Sequence, residues 1–261
     1  MIPLRDQELL RQRFQRDLTS RIRIDYFTQK PSSLFLPGRE ACPFCEECRT
    51  LMEEIASLSD RIALTVHDLS DSAEAAKELG VDKVPAVVIR GQTNRPLRFF
   101  GLPSGNQFPV LIETLIEAST GKVDLQPETQ RQLRKLKTDV RLQVLVTPTC
   151  QHSPPVAHLA YKLALQSVRI KVDVIEAVEF PSLATRLALR ATPTLYIEDK
   201  LAIPGAMDET RLVQDVLRVV EGKPFTSETR TSNATIFTPP GQQPAQTQPQ
   251  RIGSSGLILP R

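Results

Sequence analysis

Three of the four cysteines crowd into seven residues, Cys42-Pro-Phe-Cys45-Glu-Glu-Cys48, a clustering that points to chemistry rather than to a disulfide scaffold. A Cys-x-x-Cys pair at the start of a helix is suited to thiol–disulfide exchange. Backbone N–H groups and the positive dipole end at a helix N-terminus favour a thiolate, lowering its pKa from about 8.5 toward about 3.5 to 7.5. Cys42 is then the attacking sulfur, and Pro43 suits the first helical position, which has no hydrogen bond to lose. Cys45, one turn deeper, is placed to attack a mixed disulfide formed through Cys42 and to release the partner. Glu40, Glu46 and Glu47 oppose the thiolate, and Arg39 favours it.

A bare Cys-x-x-Cys also serves as a metal knuckle or a static disulfide. With Cys48 and Cys150 it would match an iron–sulfur ligand set. Against these stand a proline-led strand, Val84-Pro85-Ala86-Val87-Val88-Ile89, whose Pro85 lies 43 positions after Cys42, and the placement of Cys150 in a second unit. No metal and no cofactor is expected. Cys48 shares a helical stripe with Leu51, Met52 and Ile55, which makes it a buried core thiol or, alternatively, a back-up resolving or regulatory thiol.

The elements around this cluster follow from periodicity. Leu9, Leu10 and Phe14 suggest an amphipathic helix over 6–17, and Ile22, Ile24, Tyr26 and Phe27 a strand. A helix over about 43–59, a strand over 62–66, a helix over 72–79 and the strand entered through Pro85 complete a β-α-β-α-β order. The order then repeats. Cys150-Gln-His-Ser153 follows a strand over 140–147 and precedes the helical pattern of Val156, Leu159, Ala160 and Leu163. Cys150 precedes Pro193 by the same 43 positions, with Ala191-Thr-Pro-Thr-Leu-Tyr-Ile197 as its proline-led strand. Thr28 lies 14 positions before Cys42 but Thr147 only three before Cys150, so the first copy carries an 11-residue insertion over 29–39. That insertion is either a tolerated surface loop or a lid beside the dithiol.

In the second cluster Ser153 stands where a resolving cysteine would be, and serine cannot close a disulfide. Pro154 and Pro155 suggest a later helix start and a less activated Cys150, which is either a structural remnant or a monothiol site. His152 reads as solvent-facing, and His67 and His158 as residues without an evident partner. Pro85 and Pro193 each begin a strand, where proline removes no central ladder bond.

These patterns divide the chain into 1–121, 122–222 and 223–261. The polar segment 122–139, anchored by Leu125, Leu133 and Leu136, bridges the units through a short helix. Residues 223–261, rich in Pro, Gln, Thr and Ser, are expected to be a disordered tail. A net charge of +3 on 33 basic and 30 acidic side chains, without long single-sign blocks, argues against nucleic-acid and membrane partners. No stretch reaches the about 20 apolar residues of a membrane-spanning helix, and the N-terminus lacks a signal-peptide core, so a cytoplasmic location is expected.

The chain resembles the protein disulfide oxidoreductases, the glutaredoxin-like tandem thioredoxin-fold proteins of thermophilic archaea and bacteria. The resemblance covers about residues 5–221. It rests on Cys42-Pro-Phe-Cys45, Val84-Pro85-Ala86, Arg98-Phe-Phe-Gly-Leu-Pro-Ser-Gly-Asn-Gln-Phe108 and Val144-Leu-Val-Thr-Pro-Thr-Cys150. It implies an α/β chain of two tandem thioredoxin-like folds, each a mixed β-sheet flanked by helices, packed side by side. It further implies a cis-proline beside each site and cytoplasmic exchange with disulfide-containing proteins. Cys42 carries over as nucleophile, Cys45 as resolving thiol and Pro85 as the cis-proline. A second site of Cys150, Ser153 and Pro193 carries over more weakly, because members commonly have Cys-x-x-Cys in both units. A flavin-dependent thioredoxin reductase is the implied electron source, since no nucleotide-binding glycine motif occurs here. The chain is also similar to the N-terminal part of alkyl hydroperoxide reductase flavoproteins, which implies donation to a peroxiredoxin. The alternative of a different class is a non-catalytic binding module or redox-regulated scaffold that holds extended polypeptides by strand addition near Pro193.

Overall fold

The computed structural model describes residues 2–29, 42–199, 201–223 and 235–237. The insertion beyond Gln29, with Arg39 and Glu40, and most of the segment expected to be a tail lie outside the described residues.

The first unit runs α1 (Leu4–Asp17), β1 (Ile22–Thr28), α2 (Cys45–Ser57), β2 (Ile62–Asp68), α3 (Ala73–Leu79), β3 (Ala86–Arg90), β4 (Leu97–Phe100) and α4 (Phe108–Thr120). After α5 (Pro127–Arg134) the order repeats as β5 (Val140–Val146), α6 (Ser153–Gln166), β6 (Ile170–Glu176), α7 (Pro181–Arg186), β7 (Ala191–Thr192), β8 (Thr194–Ile197), β9 (Leu201–Pro204) and α8 (Glu209–Val220). The periodicity reading passes over β4, α4, β9 and α8, which complete each unit. Alpha1 buries Phe14 while Leu9 is 57% exposed, because residues i and i+4 share a helical stripe and Leu10, not Leu9, lies four before Phe14.

The two units share one eight-stranded sheet in the order β2-β1-β3-β4-β6-β5-β8-β9. They join where β4 pairs in parallel with β6, Arg98 opposite Asp173 and Phe100 opposite Ile175. One face packs Met52 of α2, Leu115 of α4 and Val156 of α6. The other packs Phe27, Phe100, Leu145 and Ile175 under α3 and α7.

Two histidines expected to lack partners have them. His158 Nε2 lies 2.9 Å from Glu117 Oε2, tying α6 to α4. His67 Nε2 lies 3.1 Å from Asp25 Oδ1 and its ring stacks on Phe27. Register also corrects the insertion. Ile22 pairs with Ile62 and Val140 with Ile170, separations of 40 and 30 residues, so the first unit carries ten extra residues rather than 11. Thr28 thus corresponds to Val146, not to Thr147.

At the junction, the Asp173 carboxylate, 1% exposed, accepts from Arg98 Nε on one side and from Arg141 Nε at 2.8 Å on the other. Arg98 also donates to Leu79 O, and its own carbonyl accepts from Tyr161 Oη at 2.8 Å. Removing the shared anion strands a buried guanidinium. Asp173→Ala is therefore expected to destabilise the whole chain by about 3 to 5 kcal/mol, read as a lower midpoint in denaturant unfolding.

Candidate active site

The helix that carries the cysteines, α2, begins at Cys45, with Phe44 as its cap residue and Cys48 N bonded to Phe44 O at 2.9 Å. Pro43 and Phe44 form a turn before it. This corrects two expectations: Pro43 is not helical, and Cys45 is the first helical residue rather than one turn inside. The reason is geometric, since a cap residue outside helical angles must precede the first turn, and Phe44 takes that place at φ −103° and ψ 2°.

Cys42 and Cys45 form a disulfide across a Cα separation of 5.5 Å. Cys42 is half-buried and Cys45 is 3% exposed, an asymmetry that leaves one sulfur open to attack and shields the other. Tyr26 on β1 donates its hydroxyl to Cys45 O and fixes the start of α2. Burial raises the Tyr26 pKa, so the hydroxyl stays a donor. Cys48 is fully buried, with its Sγ 3.8 Å from Gly101 O, and burial pushes its thiol far above the ordinary value. The core reading of Cys48 therefore fits the geometry, and an uncharged thiol is a poor nucleophile.

Both X–Pro bonds, Val84–Pro85 and Thr192–Pro193, are cis. Each proline carbonyl accepts from the glycine that follows the next strand, Gly101 N to Pro85 O and Gly205 N to Pro193 O, both 2.8 Å. Proline supplies no N–H of its own, so β3 and β8 begin one residue later.

In the second unit, α6 begins at Ser153 with both prolines in its first turn. The later start expected there does not occur, because the first-turn N–H groups have no intrahelical acceptor and proline forfeits nothing. Ser153 stands 108 positions after Cys45, as Cys150 does after Cys42 and Pro193 after Pro85. The backbone architecture is kept and the second sulfur of the pair is not. Cys150 is fully buried, its Sγ 3.2 Å from Thr192 O, and the Thr147 and Thr192 hydroxyls lie 3.0 Å apart. His152 is exposed, as read from the sequence.

Two carboxyls escape the sequence reading. Glu176 ends β6 and accepts from Val178 N and Glu179 N at 3.2 and 2.9 Å. Glu179 accepts from Leu102 N at 2.7 Å. Between them passes Gly101, whose φ of +107° favours glycine and where a Cβ would lie 2.6 Å from Glu176 Cβ. The same Gly101 carbonyl faces Cys48, so acids of the second unit stand behind α2 of the first. Burial pushes both carboxyls up to about 7, and Glu176 and Glu47 add to the shift at Glu179. The repeat holds a signal that could have found them: Asp68 and Asp71 lie 108 positions earlier.

The family model described as thioredoxin domain matches residues 37–113 and 140–218, one stretch in each unit. The F component of an alkyl hydroperoxide reductase in Xanthomonas campestris pv. phaseoli is 26% identical over 167 residues, which is 64% of this chain and 30% of that protein. The chain thus spans less than a third of the length of the curated relatives it matches. The N-terminal domain of the alkylhydroperoxide reductase AhpF from Enterococcus faecalis (V583) superposes with a TM-score of 0.73 at 19% identity, covering 83% of this chain and all of that one. A protein disulfide oxidoreductase from Aeropyrum pernix K1 gives 0.75 at 21% identity, covering 86% and 96%. These likenesses show the tandem fold.

A carboxyl raised from 4.5 to about 7 favours the fold fully below 4.5, and that contribution is lost as pH rises through 7. Folding stability is therefore expected to decline between pH 4.5 and 7. In a Glu176→Gln/Glu179→Gln chain that decline should flatten, as measured by urea unfolding across the pH series.

Proposed function

The chain belongs to the thioredoxin-domain family, and from that membership we propose that it is a thiol–disulfide oxidoreductase working through Cys42 and Cys45. The observation that carries this reading is the disulfide between a half-buried and a buried sulfur at the start of α2. In the reduced protein the Cys42 thiolate attacks one sulfur of a substrate disulfide. The substrate S–S bond breaks, a Cys42–substrate bond forms, and the first substrate thiolate leaves and takes a proton. Cys45, losing its proton, then attacks Cys42 Sγ, and the second substrate thiol departs. The substrate has gained two electrons and two protons, and the protein holds its Cys42–Cys45 disulfide. A dithiol or a flavin-dependent reductase restores it.

Pro85, cis and lacking an N–H, shapes the chain before β3, where an extended substrate can lie along Val84. Ser153 cannot complete a second cycle, so one dithiol serves the chain. We read disulfide-containing proteins as substrates, and the likeness to the alkyl hydroperoxide reductases supports a peroxiredoxin as one acceptor. Among the described residues no helix is long and apolar enough to cross a membrane, and the cytoplasm is the proposed place of work.

The test is turnover of a protein disulfide with a chemical dithiol as reductant. Cys42→Ser is expected to fall to the rate of the reductant alone. Cys45→Ser should accumulate a mixed disulfide at Cys42, identified by mass, while Cys150→Ser keeps the wild-type rate. A reversible two-electron couple near about −270 mV marks a reductant and one near about −120 to −180 mV an oxidant or isomerase; absence of any couple overturns the reading.

A further inference from the structure

Part of the segment expected to be a disordered tail is ordered. Thr235 and Ile236 form a strand, β10 (Thr235–Ile236), paired antiparallel with β7: Thr235 opposite Thr192 and Ile236 opposite Ala191. Phe237 N donates to Arg190 O at 2.9 Å, and the Phe237 side chain, 8% exposed, joins the cluster of Leu183, Leu187, Leu189 and Tyr196. Composition averaged over the whole tail hides these β-branched and aromatic residues, which favour a pleated, half-buried surface.

The location gives the pairing its meaning. Thr192 immediately precedes the cis bond to Pro193, its carbonyl faces Cys150 Sγ and its hydroxyl faces Thr147. Beta7 lies outside the eight-stranded sheet and pairs, among the described residues, with β10. Without that partner its main chain would be an open edge, which an extended polypeptide satisfies by strand addition. The ladder supplies affinity with little regard to sequence, and the apolar cluster around Phe237 supplies selectivity.

We propose that the Ala191–Thr192 edge is a binding site for an extended segment that pairs through its main chain and places an aromatic side chain where Phe237 lies. Its resident ligand is the chain's own Thr235–Phe237 segment, and another polypeptide reaches the Cys150–Pro193 site when that segment leaves. The site is separate from the Cys42–Cys45 dithiol and needs no redox change. A tethered ligand acts at an effective concentration of about millimolar, so the segment excludes dilute competitors until a partner captures it or outbids it.

The experiment uses the full chain and a fluorescein-labelled peptide of residues 233–238, Asn-Ala-Thr-Ile-Phe-Thr. Binding is read by anisotropy to the wild type and to Phe237→Asp, with Phe237→Ala as a milder second variant should the aspartate unsettle the fold. Unfolding midpoints confirm that the compared variant is folded. The peptide is expected to bind that variant at least about tenfold more tightly than the wild type, and a peptide with Asp in place of its Phe is expected not to bind. Equal affinity for wild type and variant, binding to neither, or equal binding by the Asp peptide overturns the proposal.

Discussion

The parallel pairing of β4 with β6 is the constraint on which the other features rest. Each unit alone has a four-stranded sheet with an inner edge whose N–H and C=O groups need partners, and the two inner edges satisfy each other. Asp173 between Arg98 and Arg141 pins that seam electrostatically, because a buried carboxylate with two guanidinium partners tolerates no slip in register. From the seam follows the position of the Gly101–Leu102 turn, which runs from the end of β4 against Glu176 and Glu179. The unit with the dithiol thus takes part of its electrostatic surroundings from the unit without one.

The two sites separate backbone from chemistry. Both have a helix starting at the same repeat position, a cis-proline 43 residues after the first cysteine, and a glycine N–H on the proline carbonyl. At the second position of the pair they differ in one side-chain atom, sulfur in Cys45 against oxygen in Ser153. Serine is fully buried there and its Oγ finds no hydrogen-bond partner among the described residues, a cost the unit bears for its fold. Persistence of the architecture without the second sulfur is consistent with a structural and docking role for that half.

Much of this was legible in the sequence because cysteines and prolines act through spacing, and spacing survives translation into structure. The 43-residue interval located both cysteine clusters and both prolines, and the family resemblance implied the cis bonds that the structure has. What escaped depends on tertiary partners. The His67–Asp25 and His158–Glu117 pairs join residues 42 and 41 positions apart, with no local pattern to announce them. Short strands such as β4 lack the length for periodicity to show. The insertion count is off by one because matching threonines align by type, whereas ladder register aligns Thr28 with Val146. Glu176 and Glu179 were within reach, since their counterparts Asp68 and Asp71 share the repeat interval, but burial is what gives them an altered acidity.

The seam also imposes an order on synthesis. Beta4 ends at Phe100 and its partner β6 begins at Ile170, so a chain leaving the ribosome completes the first unit's strands long before their inner edge can be covered. For that interval a short, wholly buried Leu-Arg-Phe-Phe strand is exposed as a template for a neighbouring nascent chain. A charge within a strand disfavours pairing with a wrong edge, and Arg98 brings one to this strand before it becomes the anchor for Asp173.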